Sequence, residues 1–460
     1  MTSTLAAADN PGAACAGRAA WRSAQAARSA TAAVGATAIV FGVRFLTVPL
    51  YLEIAGPDGY GLWLTVSSLA AWAGLADLGL GSGLVQSVAT ACAAGDWAVA
   101  RRHVSTAMIT FILLAFPLAC AVVGIGHWPG LAAALGLAQK PGLARHAAAL
   151  ALIGGLAFVG SFAFSWAGAL SAAVQEGYRA SIASAAAGIA TLACLLAIRH
   201  RAVSLEVFAL AVAVPPLVCA LLLAAGLMTG RHRRIARPSI ALWSLASARS
   251  IVGQGTPLFL VQLSDLAILN TANFFIARFA GLSEVARYSV SFALFATVAR
   301  ICYAIASAYW PAYSDAYALK DWAWLRSAAS RNLALSAGLM AVTGTLFAFT
   351  GRAFVTWWAG PAATPPVFLL AALALYFLIA ACSTTVGALL NGLGLTRIRV
   401  WLRLFVGAAH VAGGWLLLPH LGLVALPIAG SAGYLLDLLV SAACARNHIR
   451  AMVALSVPRT

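Results

Sequence analysis

Long apolar stretches separated by short polar ones recur along the whole chain. Most of the stretches have about 20 residues or more, enough for an α-helix to cross a bilayer core of about 30 Å. Glycine, proline and arginine mark the interruptions. The pattern predicts an all-α polytopic membrane protein with about twelve transmembrane helices, at residues 31–54, 60–91, 104–125, 147–174, 178–198, 205–228, 250–277, 286–312, 328–350, 366–390, 398–418 and 422–444.

Composition agrees with this prediction and leaves no room for a separate soluble domain. Of the 460 residues, 62% are hydrophobic and 9% are charged, and the mean hydropathy is +0.92. Soluble domains carry about 25% charged residues. The eight cysteines are scattered singly, without the spacing of a disulfide framework or a zinc site, so we expect no bound metal.

The distribution of basic residues predicts the orientation, because cytoplasmic loops of membrane proteins are enriched in Lys and Arg. With both termini in the cytoplasm, 20 of the 29 Lys and Arg residues lie in inner segments and 7 in outer segments, while Arg44 and Arg300 lie inside spans. The net charge of +17 is therefore a topology signal and does not indicate nucleic-acid binding. A multi-pass protein of the bacterial cytoplasmic (inner) membrane is expected.

A shift of 225 residues aligns the two halves of the chain without a gap. Ala55-Gly56 aligns with Ala280-Gly281, and Asp96-Trp97-Ala98 aligns with Asp321-Trp322-Ala323. Because six spans is an even number, the halves enter the membrane in the same direction, as in transporters built from parallel repeats. The predicted organisation is a cytoplasmic N-terminal segment (1–30), two six-helix bundles (31–228 and 250–444), a basic cytoplasmic linker (229–249) and a cytoplasmic tail (445–460).

Ionisable side chains inside spans mark the candidate functional site, since each costs about 2.5–3.5 kcal/mol at the centre of a membrane helix. Each half carries one arginine and one aspartate on its first two spans. We expect these four residues to line a central substrate-binding cavity together with two asparagines of the same polar span: Arg44, Asp77, Asp265, Arg300, Asn270 and Asn273. The alternatives are snorkelling to the interface and purely structural ion pairs. A fifth charge, Asp437, is expected to pair with Arg403 or Arg446.

The stretch GLADLGLGSGLV, residues 74–85, lies inside a predicted span of 32 residues, about 48 Å as an ideal helix. Gly79, Gly81 and Gly83 weaken the helix just after Asp77, where a gate would have to bend. They are therefore predicted to form a gate or hinge. A packing motif of small residues is the alternative reading.

Residues 52–107 resemble the opening of bacterial polysaccharide flippases, the O-antigen translocase branch of the multidrug/oligosaccharidyl-lipid/polysaccharide exporter superfamily. The shared pattern is a G-P-x-x-Y-G turn, a span that ends D-L-G-L-G-S, and a G-D followed by paired arginines. It is carried by Gly56, Pro57, Tyr60 and Gly61, by Asp77–Ser82, and by Gly95, Asp96, Arg101 and Arg102. The second half follows it less well, with Leu282 where the first half has Pro57.

The resemblance implies alternating-access transport of undecaprenyl-diphosphate-linked oligosaccharides from the inner to the outer leaflet, for O-antigen, capsule or exopolysaccharide biosynthesis. The resemblance also implies that the protein acts together with a polysaccharide polymerase and chain-length machinery. Arginine suits a diphosphate because its planar fork donates bidentate hydrogen bonds. The alternative is a cation-coupled multidrug antiporter of the same superfamily. No P-loop or hydrolase motif is present, so no enzyme and no cofactor is expected, although coupling to a proton or sodium gradient is open.

Overall fold

A computed structural model describes residues 11–135, 137 and 140–456. The predicted terminal segments 1–30 and 445–460 therefore extend outside the described residues at 1–10 and 457–460. The described chain folds into fifteen α-helices with short 3₁₀ turns between some of them: α1 Pro11–Trp72, α2 Leu80–Ala93, α3 Trp97–Gly126, α4 Leu131–Ala134, α5 Pro141–Ala163, α6 Trp166–Ala173, α7 Tyr178–Ile198, α8 Leu205–Thr229, α9 Arg233–Ala236, α10 Leu245–Phe279, α11 Leu282–Ala318, α12 Trp322–Ala359, α13 Val367–Gly392, α14 Thr396–Leu421 and α15 Ala425–Ser456.

The helices reproduce the predicted pattern of membrane spans. In the described part of the chain, nine helical stretches are long and apolar enough to cross a membrane, or ten if a bent pair counts as one span. Gly56, at φ 69° and ψ 168°, divides α1 into two helices. Gly422, at φ 60°, ends α14 before α15. Once the stretches are divided at these glycines, the twelve predicted spans all fall on helical stretches, with 60–91 and 147–174 each covering two helices.

The internal repeat is visible in the backbone. Gly56 and its counterpart Gly281 both have positive φ, 69° and 100°, and a nearly equal ψ, 168° and 163°. Asp96 and its counterpart Asp321 each accept a hydrogen bond from the backbone N–H three residues later, at 2.9 and 3.0 Å. Both aspartates thus satisfy a free N–H at the start of a helix.

The contacts divide the described chain into two compact units. One contains the residues up to Thr47 with Ala76–Val122 and Leu156–Thr256, and the other contains Val48–Leu75, Val123–Gly155 and the chain from Pro257 onward. We refer to them as unit 1 and unit 2. Their borders differ from the predicted border between the halves at 229–249, which stays a prediction.

Each unit has its own apolar core. In unit 1, Phe111 and Trp166 are fully buried against α2, where Leu80 and Leu84 are also fully buried. In unit 2, the rings of Phe295 and Phe377 stack at 5.8 Å between α11 and α13. Outward-facing positions carry large apolar side chains as well, including Phe116, Phe349 and Phe368, each more than 70% exposed. Exposed apolar surface of this kind is typical of helices that face lipid.

Loops predicted on the same side of the membrane contact each other. In unit 2, Lys140 Nζ lies 2.6 Å from Asp58 Oδ2, and both residues are in predicted outer loops. In unit 1, the buried Glu176 carboxylate binds Arg179 Nε at 2.8 Å and His232 Nε2 at 3.0 Å, in predicted inner loops. Both pairings agree with the predicted order of inner and outer loops.

Candidate substrate-binding site

Unit 2 contains a cavity of about 260 Å³ that is lined by both ionisable residues predicted for the second half. Asp265 comes from α10 and Arg300 from α11. The rest of the lining is mostly apolar and aromatic, with tyrosine side chains from three helices: Tyr303, Tyr376 and Tyr434. Asp265 and Arg300, both predicted as site residues from the sequence, therefore line one cavity.

Asp265 is held by an arginine that the sequence did not assign to it. Arg403 Nη2 of α14 donates to Asp265 Oδ1. The Arg403 side chain is 10% exposed and that of Asp265 is 49% exposed, so the pair joins a buried cation to a carboxylate that opens to the cavity. The guanidinium also lies 5.1 Å from the ring centroid of Tyr434, a favourable cation–π contact.

Asp437 does not take Arg403 as its direct partner, which corrects the sequence expectation. Its buried carboxylate accepts hydrogen bonds from Ser383 Oγ at 2.5 Å and from Ser441 Oγ at 2.9 Å. Arg399, one turn before Arg403 on α14, lies in electrostatic range of both Asp265 and Asp437. Hydrogen bonds and nearby cations of this kind offset the cost of burying a carboxylate.

The two predicted asparagines point elsewhere. Asn270 Nδ2 donates to the Leu266 carbonyl of its own helix at 3.2 Å. Asn273 joins three helices of unit 2: its Nδ2 donates to Ser68 Oγ at 2.8 Å, and its Oδ1 accepts from Ser289 Oγ at 3.0 Å. Neither asparagine lines the Asp265–Arg300 cavity. Asn273 instead connects the first half of the sequence to the second.

The predicted residues of the first half lie in unit 1. Arg44 on α1 is exposed. Asp77 is half-buried, and its Oδ1 accepts a hydrogen bond from Gly81 N at 2.9 Å at the start of α2. Among the described residues, Arg44 and Asp77 do not pair with each other. Asp77 thus has a local structural partner, and its predicted role in a cavity stays a prediction.

The three glycines after Asp77 combine a bend with close packing. The chain bends by 41° between Gly42–Asp77 and Leu80–Cys92, where Leu78 and Gly79 have φ of 47° and 85°. A Cβ on Gly79 would lie 2.6 Å from the Gly255 carbonyl carbon, and one on Gly83 would lie 1.8 Å from the Ile251 carbonyl oxygen. Here α2 and α10 approach each other backbone to backbone.

Sequence reasoning missed Arg403 and Tyr434. Arg403 is the sixth residue of the predicted span 398–418, but the sequence suggested it only as a partner of Asp437. A signal was present: Arg399, Arg403 and His410 share one face of α14 at helical spacing. Arg403 and His410 are buried there, which a polar stripe on a membrane helix predicts. Among the described residues, no cluster of three His, Cys, Asp or Glu side chains could hold a metal ion.

The fold is that of the MATE transporters and other members of the MOP superfamily. A family model described as "Polysaccharide biosynthesis protein" matches residues 181–361. No curated protein matches the chain significantly.

Three solved structures illustrate the likeness in fold. An inward-facing multidrug resistance MATE transporter of the MOP superfamily superimposes with a TM-score of 0.76 at 15% identity, over 92% of this chain and 100% of that one. An outward-facing multidrug resistance MATE transporter gives 0.62 at 16%, over 93% and 97%. A MOP-superfamily transporter from Pyrococcus furiosus, whose binding pocket is described as having reverse polarity, gives 0.59 at 14%, over 92% and 96%.

Proposed function

We propose that the protein is a flippase that moves undecaprenyl-diphosphate-linked oligosaccharides from the inner to the outer leaflet of the cytoplasmic membrane. Transport rather than catalysis is supported by the MOP-superfamily fold. Polysaccharide biosynthesis is supported by the family model that matches residues 181–361. The product would supply O-antigen, capsule or exopolysaccharide, beside a polymerase and chain-length machinery.

The observation that carries the choice of substrate is the charge around the unit 2 cavity. Three arginines, Arg300, Arg399 and Arg403, stand against two aspartates, Asp265 and Asp437. A site for a cationic drug favours acids and aromatic rings, whereas a diphosphate favours guanidinium groups. The formal charge of this group is positive, which favours an anionic substrate.

Within this site, Arg300 and Arg403 have distinct tasks in the proposed mechanism. The exposed Arg300, which lines the unit 2 cavity, binds diphosphate oxygens. The positive charge of Arg403 offsets the negative charge of Asp265, and this weakens the repulsion between the Asp265 carboxylate and the diphosphate of the substrate. The Nε and Nη1 of Arg403 are buried and have no acceptor among the described residues. Movement of Asp265 away from Arg403 would free Arg403 Nη2 to donate to the substrate.

A cation-coupled multidrug antiporter is the second candidate. It is favoured by the match to multidrug MATE transporters and by the tyrosines beside Asp265 in the cavity. In that case Asp265 would exchange a proton or sodium ion for the drug. Proton or sodium coupling is also compatible with the flippase, with Asp265 or Asp77 as the coupling group.

Deletion of the gene, followed by extraction of radiolabelled lipids, distinguishes the two candidates. A flippase predicts loss of surface glycan, with lipid-linked units accumulating in the inner leaflet. Unchanged surface glycan together with altered drug sensitivity would reject the flippase and support the antiporter.

Complementation of that deletion tests the arginines. We expect Arg44→Ala and Arg300→Ala each to abolish restoration of surface glycan at normal membrane levels, because each removes a proposed diphosphate ligand. The matched control is Arg352→Ala, which removes an exposed arginine in a predicted outer segment and should complement fully. Full complementation by both Arg44→Ala and Arg300→Ala would contradict the arginine assignment.

A further inference from the structure

A second cavity in unit 2, of about 470 Å³, lies between α11, α12, α13 and α15. Three guanidinium groups line it: Arg326 on α12, and Arg446 and Arg450 on α15. We call it the three-arginine pocket. It shares no lining residue with the Asp265–Arg300 cavity, so it is a separate feature of the fold.

The residues that line this pocket include no aspartate or glutamate, so the lining does not compensate the positive charge of the three arginines. Arg446 and Arg450 stand four residues apart on one helix face, a spacing at which like charges repel. All three arginines are exposed, and none forms an ion pair with another described residue. The nearby Asp321 is engaged with the backbone N–H of Trp324. An anion in the pocket would relieve the repulsion.

The floor of the pocket is apolar. Leu325, Leu389 and Ile449 line it and belong to the buried core of this region. Tyr313 is fully buried there as well. A cationic rim above an apolar floor matches an amphiphile, with a negative head group at the rim and hydrocarbon against the floor. It matches a free soluble anion less well.

The position along the chain agrees with such a ligand. Arg326, Arg446 and Arg450 all belong to segments predicted on the cytoplasmic side. Clusters of Lys and Arg at the cytoplasmic ends of membrane helices attract anionic lipid head groups. Guanidinium groups bind phosphate oxygens in bidentate, charge-assisted geometry.

We infer that the three-arginine pocket binds the phosphate of an anionic membrane lipid. The lipid is either a phospholipid such as phosphatidylglycerol or a polyprenyl diphosphate, since both present anionic phosphate oxygens on an apolar chain. The site is independent of the proposed flippase function, because a phospholipid would occupy it whatever the transported solute.

Native mass spectrometry of the purified, delipidated full-length protein tests the inference. Phosphatidylglycerol, phosphatidylcholine, undecaprenyl diphosphate and inorganic phosphate are titrated separately. The test variant is R326Q/R446Q/R450Q. The matched control, R101Q/R102Q/R331Q, removes three exposed arginines from predicted inner segments outside the pocket and lowers the net charge equally.

We expect the wild type and the control to bind phosphatidylglycerol in preference to phosphatidylcholine, and the test variant to bind it at least tenfold more weakly. If undecaprenyl diphosphate binds more tightly than phosphatidylglycerol, the diphosphate lipid is identified as the ligand of the pocket. Equal binding of the two would identify anionic lipids in general. Equal losses in both triple variants would overturn the inference, as would inorganic phosphate binding as tightly as either lipid. If the test variant unfolds, R326K/R446K/R450K and the single variant R450Q replace it. We expect the triple lysine variant to retain phosphatidylglycerol binding and R450Q to bind this lipid more weakly.

Discussion

At the scale of single residues, the informative feature is the asymmetry of the Asp265–Arg403 pair. The arginine side chain is 10% exposed and the aspartate side chain 49%. A buried cation that loses its partner cannot recover its hydration, whereas a carboxylate open to a cavity can. Substitution of Asp265 alone and substitution of Arg403 alone should therefore lower the free energy of unfolding by different amounts, although each removes the same ion pair.

We expect Asp265→Asn to lower the free energy of unfolding by about 3 kcal/mol, because it leaves the Arg403 guanidinium buried and unpaired. Arg403→Met should cost less, about 1 kcal/mol, because the remaining carboxylate is half-exposed. The double variant should be more stable than Asp265→Asn alone. Thermal or denaturant unfolding of the purified protein in detergent, analysed as a double-mutant cycle, measures these differences. Simple additivity of the two single effects would show that the pair is not coupled.

In the sequence, a charge deep in an apolar span was the signal for a candidate site residue. Asp265 and Arg300 were identified by their cost in the membrane, and they line one cavity. The partner of Asp265 was missed because Arg403 is 138 residues away along the chain. A single sequence does not show that two residues so far apart along the chain are in contact in the fold. Asp437 was misassigned for a different reason, since its partners Ser383 and Ser441 are uncharged and gave no electrostatic signal.

At the scale of helices, the glycines after Asp77 show why a packing motif and a bend can share one stretch. Positive φ at Gly79 turns the chain, while Gly83 lets α2 approach the α10 backbone. Gly81 has neither task, because a Cβ there would meet only the Asp77 carboxylate at 3.5 Å, an ordinary contact. The predicted hinge therefore contains two constrained positions and one tolerant position.

Gly83→Ala should destabilise the protein by about 1–3 kcal/mol, because its Cβ would force the Ile251 backbone away. Gly81→Ala is the matched control and should be neutral or slightly stabilising, since alanine favours helix by up to about 1 kcal/mol over glycine. The melting temperatures of the two purified variants give the comparison. Equal melting temperatures would contradict the close-packing account.

Helix-level prediction was more complete than residue-level prediction, for a physical reason. Membrane helices satisfy their backbone hydrogen bonds internally, so apolar length and breaks nearly determine them. The break at Gly56 was predicted from a local turn motif and appears as a positive-φ glycine. By contrast, the compact units cut across α1, whose residues up to Thr47 and from Val48 onward fall in different units. Hydropathy carries no information on such contacts.

At the scale of the whole molecule, Asn273 links distant parts of the chain within unit 2. Its side chain bonds Ser68 from the first half of the sequence and Ser289 from the second. Close by along the chain, a Cβ on Gly61 would lie 1.9 Å from the Leu282 carbonyl oxygen. The two halves of the sequence therefore meet tightly at these positions. A transporter that works by alternating access has to separate its halves at one end of the membrane in each cycle.

The pair S68C/N273C tests whether that contact opens during transport. In a background without the native cysteines, oxidation tests for a disulfide between these two positions, whose side-chain atoms Ser68 Oγ and Asn273 Nδ2 are 2.8 Å apart. We expect the oxidised protein to lose glycan transport, and a reducing agent to restore it, since a disulfide prevents the two helices from separating. Mass spectrometry of the linked peptides reports the bond, and complementation by each single cysteine variant gives the control. Full transport with the disulfide intact would show that α1 and α10 stay together at Ser68 and Asn273 throughout the cycle, and the gate would then have to be sought at the 41° bend before α2.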